Sequence, residues 1–360
     1  MIRPAAKVAT LVVAALCGMS AIASAQAAPA APVQPAGNPG YHVGSRAVLG
    51  GDGGWDYLTP DTAAHRMYIT RGTHVQVVSL DSLKLVGDIL NTEGVHGVAL
   101  APALGRGYTS NGRANAVTVF DLRTLAVIKT ITGTGRNPDA IIYEPVSRRI
   151  FTMNGGSGDA TAIDVATDSI VGTIPLFGKP EFAVADGTGH VFVNNEDSST
   201  INEFDARTLR VVHTWSIKPC DGPSGLAMDV RNRRLFSVCG NGTMAVVDAN
   251  SGRLITTLPI GQGSDGVKFD PRTMNAFSAN GEGTMTVVHE DAPDRFTVRG
   301  NVTTQRGART LGLDERTGRV YTVSAEYGPM PAPTAERPRP RPPMVPGTFT
   351  LLAIEPSLAP

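Results

Sequence analysis

The chain has 360 residues, an apolar fraction of 41% that is ample for a globular core, and Lys+Arg equal to Asp+Glu at 32 each. That neutral balance speaks against an electrostatic grip on nucleic acid or on an anionic membrane. Abundant Gly (40) and Pro (26) with only 6% aromatics disfavour long helices and fit an all-β chain of short strands and tight turns.

In chain order, residues 1–25 read as a secretory signal peptide. Arg3 and Lys7 supply a basic start, residues 8–16 an apolar run, and Ala23-Ser24-Ala25 a small-residue cleavage site, placing processing near Ala25. The run is shorter than the roughly 20 apolar residues of a membrane anchor, and no later stretch is long enough to span a bilayer. Leu16 is a poor flank for lipidation of Cys17. The expected location is therefore periplasmic or secreted. Residues 26–40 are Ala/Pro-rich and read as a flexible leader, with one domain expected over residues 41–356.

Within that domain one strand signature recurs seven times: HRMYIT, GRGYTSN, RRIFTMN, GHVFVNN, RRLFSVC, MNAFSAN and GRVYTVS. The aromatics are Tyr68, Tyr108, Phe151, Phe192, Phe236, Phe277 and Tyr321, at spacings of 40, 43, 41, 44, 41 and 44 residues. Each unit parses into four short strands with Gly, Pro, Asn or Asp turns, which predicts the blade of a β-propeller. The fold expected is a seven-bladed propeller of four-stranded blades. The last repeat lacks a fourth strand, and residues 42–49 have the character of the missing one, so the N-terminal strand should close the last blade.

The strands written here as MYIT, GYTSN and VFVNN resemble those of the YVTN-repeat (YncE-like) bacterial propellers, over residues 42–355. The resemblance implies the seven-bladed architecture. Members of that family serve varied purposes, including surface and periplasmic binding, so activity has to be argued from the site.

Propeller geometry brings the loop before each innermost strand, and the loop between second and third strands, to one face around the central channel. Aligning the first set places Asp56, His96, Asp139, Glu181, Ser224, Asp265 and Arg309 at one equivalent position. A purely structural turn should select one residue type, and these differ. Four carboxylates against one Arg favour a bound cation or cationic group, whereas a merely wet channel mouth would leave them solvated or paired with Arg309. The second set is Arg71, Asn111, Asn154, Asn195, Cys239, Asn280 and Ser324. Most of these should shape turns, with Asn111 and Asn195 as additional ligand contacts.

Two cysteines remain outside the signal, Cys220 and Cys239, and both belong to one blade on this face. In an oxidising compartment they should form a disulfide. Trp55, beside Asp56, reads as packing at a blade junction. The insertion at 328–347, containing PAPTAERPRPRPPMVP, interrupts the last blade. It is either a solvated surface insertion or an extended arm that turns Arg337, Arg339 and Arg341 toward the acidic ring.

Three functions follow. The first is a non-catalytic binding scaffold that takes a small molecule or a protein at the channel face. The second is a metal-dependent, lactonase-like hydrolase in which Asp139, Glu181 and Asp265 hold a divalent cation and His96 is the general base. The third is an accessory to periplasmic redox metabolism. No cofactor other than that cation is suggested, and nucleic acid is not an expected partner.

Overall fold

Each repeat becomes one antiparallel sheet because its four short strands are joined by hairpins too short for any other pairing. The computed structural model describes Met1 and residues 38–51, 53–334, 338 and 340–357; the signal segment, the leader to residue 37, Cys17, Arg337 and Arg339 lie outside the described residues. Among the described residues there are seven four-stranded sheets. Blades one to six run in order over residues 58–89, 95–132, 138–175, 180–216, 223–259 and 264–303. The seventh combines Leu311–Asp314, Arg319–Ser324 and Thr350–Pro356 with the N-terminal strand Tyr41–Val48.

That N-terminal strand pairs antiparallel with Thr350–Pro356, from Tyr41 opposite Pro356 to Val48 opposite Thr350. The two ends of the chain thus share one sheet, and the ring closes by strand pairing. The protein is a seven-bladed β-propeller, as the repeat spacing predicts.

Strand position within a blade explains strand composition. The second strand of each blade is paired on both edges and covered on both faces by neighbouring blades, so it reads as a run of small and apolar residues. All seven signature aromatics are buried there. Removing each from water stabilises the fold by about 1.5–3 kcal/mol. The outermost strands face solvent on one side and alternate, as in Ser169–Pro175. The cores lie between blades: Phe151, Met153, Val193 and Phe204 form one such cluster between blades three and four.

The innermost strands approach one another closely at the channel. A Cβ on Gly225 would stand 2.9 Å from the Gly266 Cα, so glycine permits that blade-to-blade contact. Among the described residues no helix is long and apolar enough to cross a membrane.

Candidate functional site

The loops before the innermost strands are fixed to one another around the channel. Tyr57 N–H donates to the His96 carbonyl at 3.2 Å, and Asp265 N–H donates to the Arg309 carbonyl at 3.2 Å. The Thr310 hydroxyl donates to the Asp56 carbonyl at 2.6 Å. Backbone registration of this kind holds the aligned side chains at one mouth.

Six of the seven aligned residues carry ionisable side chains, and these sort into local groups. His96 Nδ1 lies 2.7 Å from Asp56 Oδ2 and 3.7 Å from Asp139 Oδ1. Arg309 Nε lies 2.8 Å from Asp265 Oδ2, its Nη2 lies 3.9 Å from Asp56 Oδ1, and that Nη2 also donates to the Trp55 carbonyl. Glu181 turns to Lys179, whose Nζ lies 2.6 Å from Glu181 Oε1 and also contacts Glu196. Ser224 donates its hydroxyl to the Ser264 carbonyl, so it joins blades five and six.

Asp139 stands apart from the other carboxylates. Its side chain is 14% exposed, and its Oδ1 is buried without a hydrogen-bond donor among the described residues. Burial, followed by the charge of Asp56, raises its pKa well above the usual carboxylate range, against the opposing pull of His96. Burial and then the charge of Asp139 raise Glu181, although Lys179 opposes the shift. For His96, burial disfavours the charge, but the hydrogen bond to Asp56 and the surrounding carboxylates prevail and push it up to about 9. Directly below, burial and the charges of Asp139, Asp56, Asp265 and Glu181 drive the Tyr57 phenol well above its usual value.

These positions correct several expectations. Asp139, Glu181 and Asp265 are not gathered as a ligand set, because Glu181 is turned to Lys179 and Asp265 to Arg309. Among the described residues, the three side chains that bring ligand atoms within 4.8 Å of one another are Asp56, His96 and Asp139. With its pKa pushed up to about 9, the His96 imidazole favours the protonated form at neutral pH, which would have to lose a proton before acting as a general base.

Asn111 and Asn195 are buried and turn into their blades. Asn111 accepts from the Thr109 hydroxyl and donates to Thr118. Asn154 and Asn280 repeat that arrangement with Thr152 and Thr161, and with Ser278 and Thr286. Asn195 donates to Thr200 and Asn202. These carboxamides tie second strands to third strands.

Arg71, the equivalent residue in blade one, is buried and donates to the carbonyls of Gly50, Gly51, Gly53 and Gly54. Cys239, in blade five, is disulfide-bonded to Cys220 with Cα atoms 5.4 Å apart.

A comparison within the molecule shows what structural repetition looks like. At the outermost hairpins Asp121, Asp164, Asp205 and Asp248 each accept backbone N–H bonds from the residues two and three further on. Ser79 Oγ does the same at the equivalent turn of blade one, so this job selects a short oxygen-bearing side chain. The ring, with its mixture of residue types, does not follow that rule.

Sequence alignment alone overlooked Lys179 and Tyr57, whereas the arm reading of the insertion turned Arg341 toward the ring. Lys179 was readable as the cation of GKPEF, two residues before Glu181. Arg341 lines a cavity of about 570 Å³ with Trp55, Asp56, His96, Arg113 and Arg309. The returning arm of the insertion is anchored by backbone bonds from Gly328 N to the Pro343 carbonyl and from Val345 N to the Glu326 carbonyl. Trp55 is buried against Phe349 and Tyr327, which agrees with a packing role.

No family model and no curated protein matches the sequence. Similar solved structures include Kuenenia stuttgartiensis hydrazine synthase, with TM-score 0.65 and 16% identity over 77% of this chain and 94% of that chain. U3-55K has TM-score 0.72 and 9% identity over 87% of this chain and 99% of that one. A chain of the mitotic checkpoint complex has TM-score 0.69 and 13% identity over 87% and 96% respectively. At these identities the likeness is one of fold, and the fold is the propeller.

Proposed function

We propose that this chain is an exported, non-catalytic binding scaffold of the YVTN-repeat type, whose channel face accepts a cationic group of a small molecule or partner protein. The observation that carries this reading is Asp139. Asp56 and Asp265 are bonded to His96 and Arg309, and Glu181 to Lys179, whereas a buried oxygen of Asp139 lacks a donor among the described residues. A guanidinium or ammonium group placed there would supply the missing donor and offset the charge that burial disfavours. The basic start and small-residue cleavage site support export, and the strand signatures support the family resemblance.

A second reading has one supporting observation, the proximity of Asp56, His96 and Asp139. A divalent cation held by these three would have to displace the proton of His96 and compete with the Asp56 hydrogen bond.

Calorimetric titration with arginine ethyl ester and lysine ethyl ester, on wild type and Asp139→Asn, tests the proposal. Saturable binding to wild type that is lost in the variant is expected. No saturable binding of either ester, or equal binding by both proteins, rejects it. Plasma mass spectrometry of protein purified without chelator addresses the second reading, which requires near-stoichiometric metal that Asp139→Asn loses.

A further inference from the structure

Along the channel axis, the innermost strands enclose a cavity of about 430 Å³ whose wall includes Tyr57, Val98, Ile142, Phe182, Val184 and Val267. Tyr57 and Phe182 meet edge to face at 5.0 Å between ring centres. Apart from Thr59, Thr310, the hydroxyls of Tyr57 and Tyr143 and one charged residue, the lining side chains are apolar. Three residues after each ring position the innermost strand carries Thr59, Ala99, Ile142, Val184, Ala227 or Gly312 in six blades, and Lys268 in blade six. Propeller architecture therefore does not call for a cation at this level of the channel.

Lys268 lines the cavity, and its Nζ reaches to 4.9 Å from the centre of the Phe182 ring. Burial pulls the ammonium down to about 8, which leaves it charged at neutral pH. Glu315, the carboxylate whose field opposes that shift, lies at the exposed turn of blade seven and makes no ion pair with Lys268 within 4.0 Å. The ring contact offsets only part of what an ammonium loses on leaving water.

We propose that this channel is a second binding site, for a small amphipathic carboxylate whose apolar body lies among Ile142, Phe182 and Val267 and whose head pairs with Lys268. Ligand sites commonly have volumes of about 300–1,000 Å³, mostly apolar walls and a few convergent polar groups. A carboxylate on an ammonium in such surroundings forms a charge-assisted hydrogen bond, stronger than a neutral one. Pro60, Pro145 and Gly187 line the cavity at the end away from the ring. This site does not depend on the ring reading.

The test is calorimetric titration with sodium octanoate, and with 1-octanol as the uncharged analogue, on wild type, Lys268→Met and Val184→Phe. Lys268 is half-buried and lines open space, so methionine, of similar length, is expected to keep the fold. Expected is saturable octanoate binding weakened at least tenfold by Lys268→Met, with octanol affinity kept within about twofold. Val184→Phe, which narrows the channel, should weaken both ligands. Octanoate affinity that is equal in wild type and Lys268→Met, or the lack of saturable octanoate binding by wild type, overturns the proposal. Asp139→Asn should leave octanoate affinity unchanged even where it abolishes ester binding at the ring. A parallel loss of octanoate would show one shared site and overturn the assignment to Lys268.

Discussion

His96 Nδ1 and Asp56 Oδ2 stand 2.7 Å apart across the junction of blades one and two, and this hydrogen bond sets the protonation of the ring. It holds the imidazole in its charged form, with a pKa of about 9 against 6.5 for an ordinary histidine. A folded-state pKa raised in this way contributes stability that is complete below about pH 6.5 and is lost as pH rises through about 9. In chelator-treated protein, NMR titration of the His96 ring should give a midpoint near 9, and Asp56→Asn should lower it by at least one unit. A wild-type midpoint near the ordinary value would show that the pair does not control the charge.

Asp139 also makes stability fall as pH rises, but at neutral pH it destabilises where His96 stabilises. Its carboxyl is raised in the folded state, so the protein loses stability as pH climbs from the unfolded carboxylate value, near 4, through the folded one. Asp139→Asn should therefore stabilise the protein at pH 8, by on the order of 1–3 kcal/mol, with no gain near pH 4. Thermal melts of both proteins across that range supply the check. A variant that is less stable at pH 8 contradicts the assignment.

Among the described residues the buried Oδ1 of Asn195 has no donor, and the repeat explains why. In blades two, three and six the residue two positions earlier is Thr109, Thr152 or Ser278, each of which donates to its asparagine; in blade four it is Val193. Residues two apart on a strand share a face. Val193→Thr should supply the missing donor and raise stability by about 0.5–1.5 kcal/mol, whereas Thr152→Val should lower it by about 1–3 kcal/mol. Urea unfolding midpoints with unchanged slopes would establish both.

Arg71 secures the Gly-rich segment that leads from the closing strand into blade one. Its guanidinium bonds to the carbonyls of Gly50, Gly51, Gly53 and Gly54 and lies 3.6 Å over the Phe349 ring. Arg71→Met leaves those carbonyls without their donor and should destabilise the protein by about 1–3 kcal/mol. Limited proteolysis should then cut first near residues 50–54. Cleavage elsewhere, with this segment resistant, would mean that ring closure does not depend on the clamp.

The legibility of the site differed from residue to residue. Asp56, His96, Asp139, Glu181, Asp265 and Arg309 were readable as one ring because equal repeat spacing places equivalent residues at one end of the channel. Their partners were not readable in the same way. Lys179 captures Glu181 from a neighbouring loop position, and Arg309 reaches the carbonyl of Trp55 across 254 residues of sequence. Asn111 and Asn195 looked like ligand contacts because their alignment gives an address on the ring face but not the direction of the side chain.

By itself the sequence determined the seven blades, their four strands and the closure of the ring by the N-terminal strand. These follow from local rules: strand alternation, turn residues and a repeat of 40 to 44 residues that requires one strand from the other end of the chain. Only the tertiary structure decided which ring carboxylate lacks a donor, which histidine is charged, and that Lys268 faces Phe182 across the channel. Those outcomes depend on distance and burial between residues far apart in the chain, and electrostatic energies change steeply with both.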